Sequence, residues 1–72
     1  MTKRQIKAKN NQLRKASKYM KLEMLEELSL IPKGLLYQWK LGKIDMEDEP
    51  LQLLDGAIDT LRWEHIASVL NR

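Results

Sequence analysis

The chain has no cysteine and no phenylalanine, only three glycines, two prolines and one histidine, and no acidic residue among its first 21 positions. Without cysteine, neither a disulfide framework nor a thiolate metal site can supplement the core. The single histidine, His65, would need ligands or catalytic partners from elsewhere. Its neighbour Glu64 points away from it on a helix, so His65 is expected to be a partly exposed polar residue. No nucleophile-base pair and no glycine-rich phosphate loop is present. Asp55 and Asp59 stand one helical turn apart, but nothing near them suggests a bound sugar or metal. A domain of 72 residues buries only about 60% of its unfolded surface and leaves little room for a catalytic cavity. The reading is therefore not an enzyme, with no catalytic residue, metal or cofactor. No stretch approaches the roughly 18 apolar residues of a membrane span, and the charged N-terminus is unlike a signal peptide. A soluble, cytoplasmic protein with no membrane partner is expected.

The net charge of +3 conceals a strong asymmetry. Lys3, Arg4, Lys7, Lys9, Arg14, Lys15, Lys18 and Lys21 give residues 1–21 a charge of +8, and the remainder carries −5. A field segregated in this way suits a polyanion, since each cation placed near a phosphate releases condensed counterions. It also suits a solvated basic helix with no partner.

Thr2 and Gln5 have the spacing of a capping box and set the start of a first helix. Ile6, Leu13 and Met20, joined by Ala16 and Met24, form an apolar stripe at helical spacing, interrupted by Asn10 and Ser17. The stripe is thin at its start, which leaves residues 1–12 free to act as a mobile basic arm. Arg14 to Ser17 matches a basic phosphorylation pattern too short to carry weight. Apolar residues between Lys18 and Leu30 are enough for a short second helix, although no glycine or proline separates it from the first. One helix over residues 3–29 is the alternative. Pro32 suits a first helical position, so the next helix is predicted from Pro32 to about Leu41, ended by Gly42 in a left-handed conformation. Asp45 to Pro50 forms an acidic loop whose carboxylates favour the start of the following helix; its spacing does not match a calcium loop. Beyond it, Leu51, Leu54, Ile58 and Leu61 share one face, while Trp63, Ile66, Ala67 and Leu70 share a rotated one. The rotation predicts two helices with a break near Asp59 and Thr60. Gly56 offers close approach to another helix, and Trp63 is expected in the core. No segment alternates as a strand. The fold class is all-α, a single compact domain over residues 1–72 of four or five short helices with a helix-turn-helix.

The segment Ile31 to Ile44 carries the functional reading. Ile31, Leu36 and Trp39 fall inward, and Lys33, Gly34, Tyr37 and Gln38 outward. Glutamine can bond adenine through two hydrogen bonds, tyrosine can donate to phosphate or pack on a thymine methyl, and lysine can bond guanine or phosphate. Lys33, Gly34, Tyr37 and Gln38 are therefore the expected base-reading positions. Lys3, Arg4, Lys7, Lys9, Arg14, Lys40 and Lys43 are the expected phosphate contacts.

The run Pro32 to Trp39, followed by Gly42, Lys43 and Ile44, resembles the second helix of phage Cro and repressor-type helix-turn-helix proteins. The resemblance covers about 20 residues. It implies a compact helical domain, double-stranded operator DNA as partner, a homodimer, and a role as a small phage or mobile-element transcriptional regulator. Trp63, Ile66, Val69 and Leu70 would supply the dimer surface, or else close the monomer core. The chain departs from the family pattern in two places. Glu26 stands where a small residue is usual, and Leu30 stands where the turn has glycine, with Ser29 at a normally apolar position. Sliding the first helix of the motif by one residue would bury Leu28 and Leu30 and put Ser29 in a longer turn. The alternative to DNA reading is a helical protein-interaction module, such as an antirepressor or an inhibitor of a nucleic-acid enzyme. A third possibility is RNA binding by residues 3–21.

Overall fold

Four helices in chain order make up the computed structural model, which describes the backbone of residues 1–70 and the side chains of residues 1–64. Helix α1 spans Lys3–Ala16, α2 Leu22–Ser29, α3 Lys33–Lys40 and α4 Asp48–Leu70. No strand occurs among the described residues. Helix α2 packs on both α3 and α4, and α1 packs on α4. Leu13, Leu25, Leu36, Trp39, Leu51, Leu54 and Ile58 make the centre of the core, with Ile6, Ala16, Met20, Leu22 and Ile44 packed around it.

The capping box at the start of α1 is present in full. Gln5 N–H donates to Thr2 Oγ1, and Thr2 N–H donates to Gln5 Oε1. Helices α1 and α2 are separate. The break falls at Ser17 to Lys21, where the Ser17 N–H still bonds to Leu13 O and the Met20 N–H turns back to Ser17 O. Because Ser17 is fully buried, its hydroxyl is closed to a kinase. The two residues that interrupted the apolar stripe are thus interior, as Asn10 is fully buried as well. The stripe itself is corrected at Met24, which is exposed.

Pro32 is the N-cap of α3 rather than its first residue. The far end of α3 closes as a Schellman turn: Gly42 N–H donates to Trp39 O and Lys43 N–H to Gln38 O, with Gly42 at φ +80°.

The two-helix reading of the C-terminal region does not hold. Helix α4 is one helix of 23 residues, about 34 Å long at 1.5 Å per residue. Thr60 does not cap a new helix there. Its hydroxyl donates to Gly56 O one turn back and leaves the helical ladder unbroken. Gly56 has open space around it instead of a neighbouring helix. Trp63 is 64% exposed, so it is not a core residue. In a continuous helix, its position lies across from the buried face of Leu54, Ile58 and Leu61. The readings for the side chains of His65, Ile66, Ala67, Val69 and Leu70 lie outside the described residues. The acidic loop also holds an unforeseen core residue, Met46, which is buried.

The turn between α2 and α3 takes the unslid register. Ser29 is the last residue of α2 and fully buried, and Leu30 adopts φ +63° with its side chain 81% exposed. Leu28 is exposed as well, so the one-residue slide is excluded. Ser29 satisfies itself at this apolar position: its Oγ donates to Leu25 O and accepts from Ile31 N–H. A leucine in the left-handed region costs about 1 kcal/mol or more. Leu30→Gly is therefore expected to raise stability by about 0.5–1 kcal/mol, after allowance for the freer unfolded glycine chain. Chemical denaturation followed by tryptophan fluorescence would show the gain. A loss on this substitution would contradict the strain argument.

Candidate nucleic-acid interface

Helix α3 is held from behind by two side chains and leaves one face free. Leu36 and Trp39 are fully buried, three residues apart, and bind the inner side of the helix to the core. With Leu25, Ser29 and Ile31, they form a continuous buried row across the α2–α3 turn. The opposite face carries Lys33, Gly34, Tyr37 and Gln38, all exposed, with Tyr37 at 55%. The four expected base-reading positions therefore lie together on one accessible face. A Cβ on Gly34 would meet nothing within 4 Å, so the backbone there is open to close approach.

Trp39 sits at the centre of the support. Its Nε1–H donates to Asn10 Oδ1 at 2.8 Å, and the same oxygen accepts from Met46 N–H at 2.9 Å. Asn10 Nδ2 donates in turn to Ile6 O at 2.8 Å and to Met46 O at 2.9 Å. One amide therefore ties α1 to α3 and to the loop before α4. Beside it, Arg14 lies over the Trp39 ring at 5.4 Å from the centroid. Its Nε donates to Trp39 O and its Nη2 to Ile44 O, both at 2.6 Å, and Nη2 also pairs with Asp45.

The expected phosphate contacts divide into two groups. Lys3, Arg4 and Lys43 are exposed. Arg14, by contrast, has a side chain only 14% exposed and spends its donors on the fold, so it is corrected from a phosphate contact to a brace. Lys7 pairs with Asp45 at 3.1 Å and Lys9 with Asp55 at 3.2 Å, which also accounts for Asp55. Lys40 donates to Met20 O at 2.7 Å, and burial lowers its pKa below the ordinary lysine value. Because Lys7 and Arg14 both reach Asp45, the basic side of α1 lies next to the C-terminal end of α3, where Lys43 stands.

The other end of α3 is electrostatically mixed. Lys33 N–H donates to the Glu26 carboxylate at 2.6 Å, and Lys33 Nζ pairs with Glu23 at 2.6 Å. The bond from Lys33 lowers the Glu23 pKa, and Glu23 raises that of Lys33. Glu26, out of place in the sequence pattern, thus caps α3 across the turn.

Comparison with known proteins finds no family model, curated protein or solved structure that matches the chain. The arrangement of the residues themselves carries the functional reading. No helix among the described residues is long and apolar enough to cross a membrane.

Asp45 gives this support a pH dependence. The hydrogen bond from Arg14, reinforced by Lys7, lowers its pKa below the ordinary carboxylate value against a smaller opposing effect of burial. A carboxyl depressed in the folded state stabilises fully above its unfolded pKa, near 4, and loses that contribution as the pH falls through its folded value. Thermal unfolding should therefore show stability falling below about pH 4, with a shallower acid slope in Asp45→Asn. An unchanged slope in the variant would assign the acid sensitivity to other carboxylates.

Proposed function

We propose that the protein is a sequence-specific binder of double-stranded DNA. In this reading, α2 and α3 act as a helix-turn-helix of the kind seen in phage Cro and repressor-type proteins, and the protein is a small transcriptional regulator. The observation that carries the proposal is the placement of Lys33, Gly34, Tyr37 and Gln38 on the open face of a helix whose other face is fixed by Leu36 and Trp39. A bundle that buried Tyr37 and Gln38 could not read bases. The buried residues Leu25, Ile31, Leu36 and Trp39 also join α2 to α3 across a short turn, which suits a second helix presented to the major groove. Gln38 would meet a base edge, Tyr37 a phosphate or thymine methyl, and Lys33 a guanine or phosphate. Lys3, Arg4, Lys7 and Lys43 would follow the backbone, the ion pair of Lys7 with Asp45 being exposed enough to exchange for a phosphate.

Quantitative binding to a preferred duplex and to a random one tests this. Gln38→Ala should cost about 1–3 kcal/mol on the preferred duplex and little on the random one. Neutralising Lys3, Arg4 and Lys43 should weaken both alike and flatten the salt dependence. Equal loss on both duplexes from Gln38→Ala would remove Gln38 from base reading.

A second reading, binding of a protein partner or of a second copy, is favoured by a different surface. An apolar groove of about 660 Å³ runs between the α1–α2 turn and α4, lined by Ala16, Met20, Met24 and Leu61, with the exposed Tyr19 on its rim. Sedimentation equilibrium that gave a dimer, returned to monomer by Met24→Glu, would support self-association through that groove.

A further inference from the structure

Two carboxylates occupy the end of α3 that a nucleic acid would approach, and the pattern of a base-reading helix does not account for them. Glu26 accepts from the first backbone N–H of α3, and Glu23 holds the ammonium of Lys33, one of the residues on the reading face. Helix N-termini attract anions because their N–H groups lack partners and the helix dipole ends positive there. Here that attraction is already answered from within the chain. Glu26 meets the N–H, and Glu23 neutralises the nearest cation.

We propose that Glu23 and Glu26 determine specificity by suppressing non-specific DNA binding. This inference rests on the DNA-binding reading above. A phosphate brought to the start of α3 meets two negative charges and a lysine that is already paired, so a random backbone gains little there. On a preferred site, by contrast, the base contacts of Tyr37 and Gln38 seat the helix where the carboxylates face base-edge donors instead of phosphate. The pair with Glu23 is exposed to solvent on both sides, so it can open without unfolding the helix. Once it opens, Lys33 is free for a guanine or phosphate, while the Glu26 carboxylate can accept only from a donor such as a cytosine amino group. The filter is electrostatic and operates throughout the neutral range, where an ordinary glutamate is ionised.

The test compares Glu23→Gln, Glu26→Gln and, as a control of equal charge change on the exposed side of α4, Asp59→Asn. Glutamine retains an acceptor for Lys33, so the α2–α3 turn keeps its cap. Each protein is titrated with a random-sequence duplex, and with one enriched by the wild type from a random pool, over a range of salt. Glu23→Gln and Glu26→Gln should each bind the random duplex about two- to fivefold more tightly than wild type, an effect in the range of exposed charge interactions. Glu23→Gln should also steepen the dependence of log K on log salt by about one unit, because a carboxylate no longer neutralises the Lys33 charge. Affinity for the enriched duplex should change less, so the ratio between the two falls. Asp59→Asn should leave the ratio unchanged. Wild-type binding to DNA with an equal or larger ratio in both glutamine variants would overturn the inference and leave the DNA-binding reading intact. An equal effect in Asp59→Asn would assign the change to net charge and overturn it too. Absence of duplex binding by wild type and variants alike at low salt would overturn the DNA-binding reading and the inference with it.

Discussion

Asn10→Ala is expected to lower stability by about 3–5 kcal/mol, the largest effect expected of truncating any one buried polar side chain among the described residues. The side chain is fully buried and makes four hydrogen bonds, to Ile6 O, Met46 O, Met46 N–H and the Trp39 indole N–H. Truncation leaves the indole N–H and the Met46 peptide groups without partners in the interior, and each such group costs about 1–3 kcal/mol. The total stability of a domain this size is on the order of 4–11 kcal/mol, so the variant loses a large part of it and reaches half-unfolding where the wild type lies at the low end of that range. Asn10→Leu, which refills the space, should not restore stability, because the orphaned groups remain. Trp39→Phe removes one of them. The double variant Asn10→Leu with Trp39→Phe should therefore cost less than the sum of its parts. Denaturant titration followed by circular dichroism reads all three. A cost under about 1 kcal/mol for Asn10→Ala would show that water enters the site and that the network does not hold α3.

Arg14→Lys comes next, at an expected loss of about 1.5–3 kcal/mol although the charge is kept. The guanidinium reaches Trp39 O, Ile44 O and Asp45 from one planar fork and lies over the Trp39 ring. A lysine ammonium is a point donor on a flexible stem. It can retain the pairing with Asp45 but cannot serve the Trp39 and Ile44 carbonyls in the same position. Arg14→Met, which preserves much of the stem, should fare no better than lysine, and it should lose the acid sensitivity that Asp45 owes to Arg14. Melting temperatures of the two variants at neutral pH and near pH 3 separate these contributions. Full stability in Arg14→Lys would mean that charge alone, rather than the fork, secures the end of α3.

These two residues also show what could be read from the chain and what could not. Thr2 with Gln5, and Gly42 after Trp39, were legible because caps are made by residues a few positions apart. The inward set Leu36 and Trp39 and the outward set Tyr37 and Gln38 followed from the period of one short helix. Asn10, Ser17 and Ser29 were not legible, since a polar residue is interior only if distant atoms satisfy it, and Met46 lies 36 residues from Asn10. A signal was nevertheless present. Ile6, Asn10, Leu13, Ser17 and Met20 continue one stripe at alternating spacings of four and three, so the two polar residues stood in line with the core instead of breaking it.

The single α4 is hidden in the sequence for a related reason. Trp63 is off the line of Leu54, Ile58 and Leu61, and in a sequence a change of apolar face is indistinguishable from a change of helix. The same helix can carry a second apolar position on its outer side, as the exposure of Trp63 shows. Leu30 in the left-handed region and Glu26 at a small-residue position both run against local preference. The turn accepts them because Ser29 completes its own hydrogen bonds and Glu26 finds the first N–H of α3. The cations were the least legible part of the surface. Charge counting makes Arg14 equal to Lys3, whereas folding makes one a brace and leaves the other exposed.

We propose above that the open face of α3 reads DNA sequence. The most direct test is selection of bound duplexes from a random pool at roughly physiological salt, where purely electrostatic association is weak. The wild-type protein should enrich a short recurring motif, lost when Tyr37 and Gln38 are both replaced by alanine in a protein that remains folded. An inverted repeat with half-sites about one helical turn apart would add a two-fold dimer. Recovery of no motif by folded wild-type protein would contradict the claim and transfer the function to a protein partner.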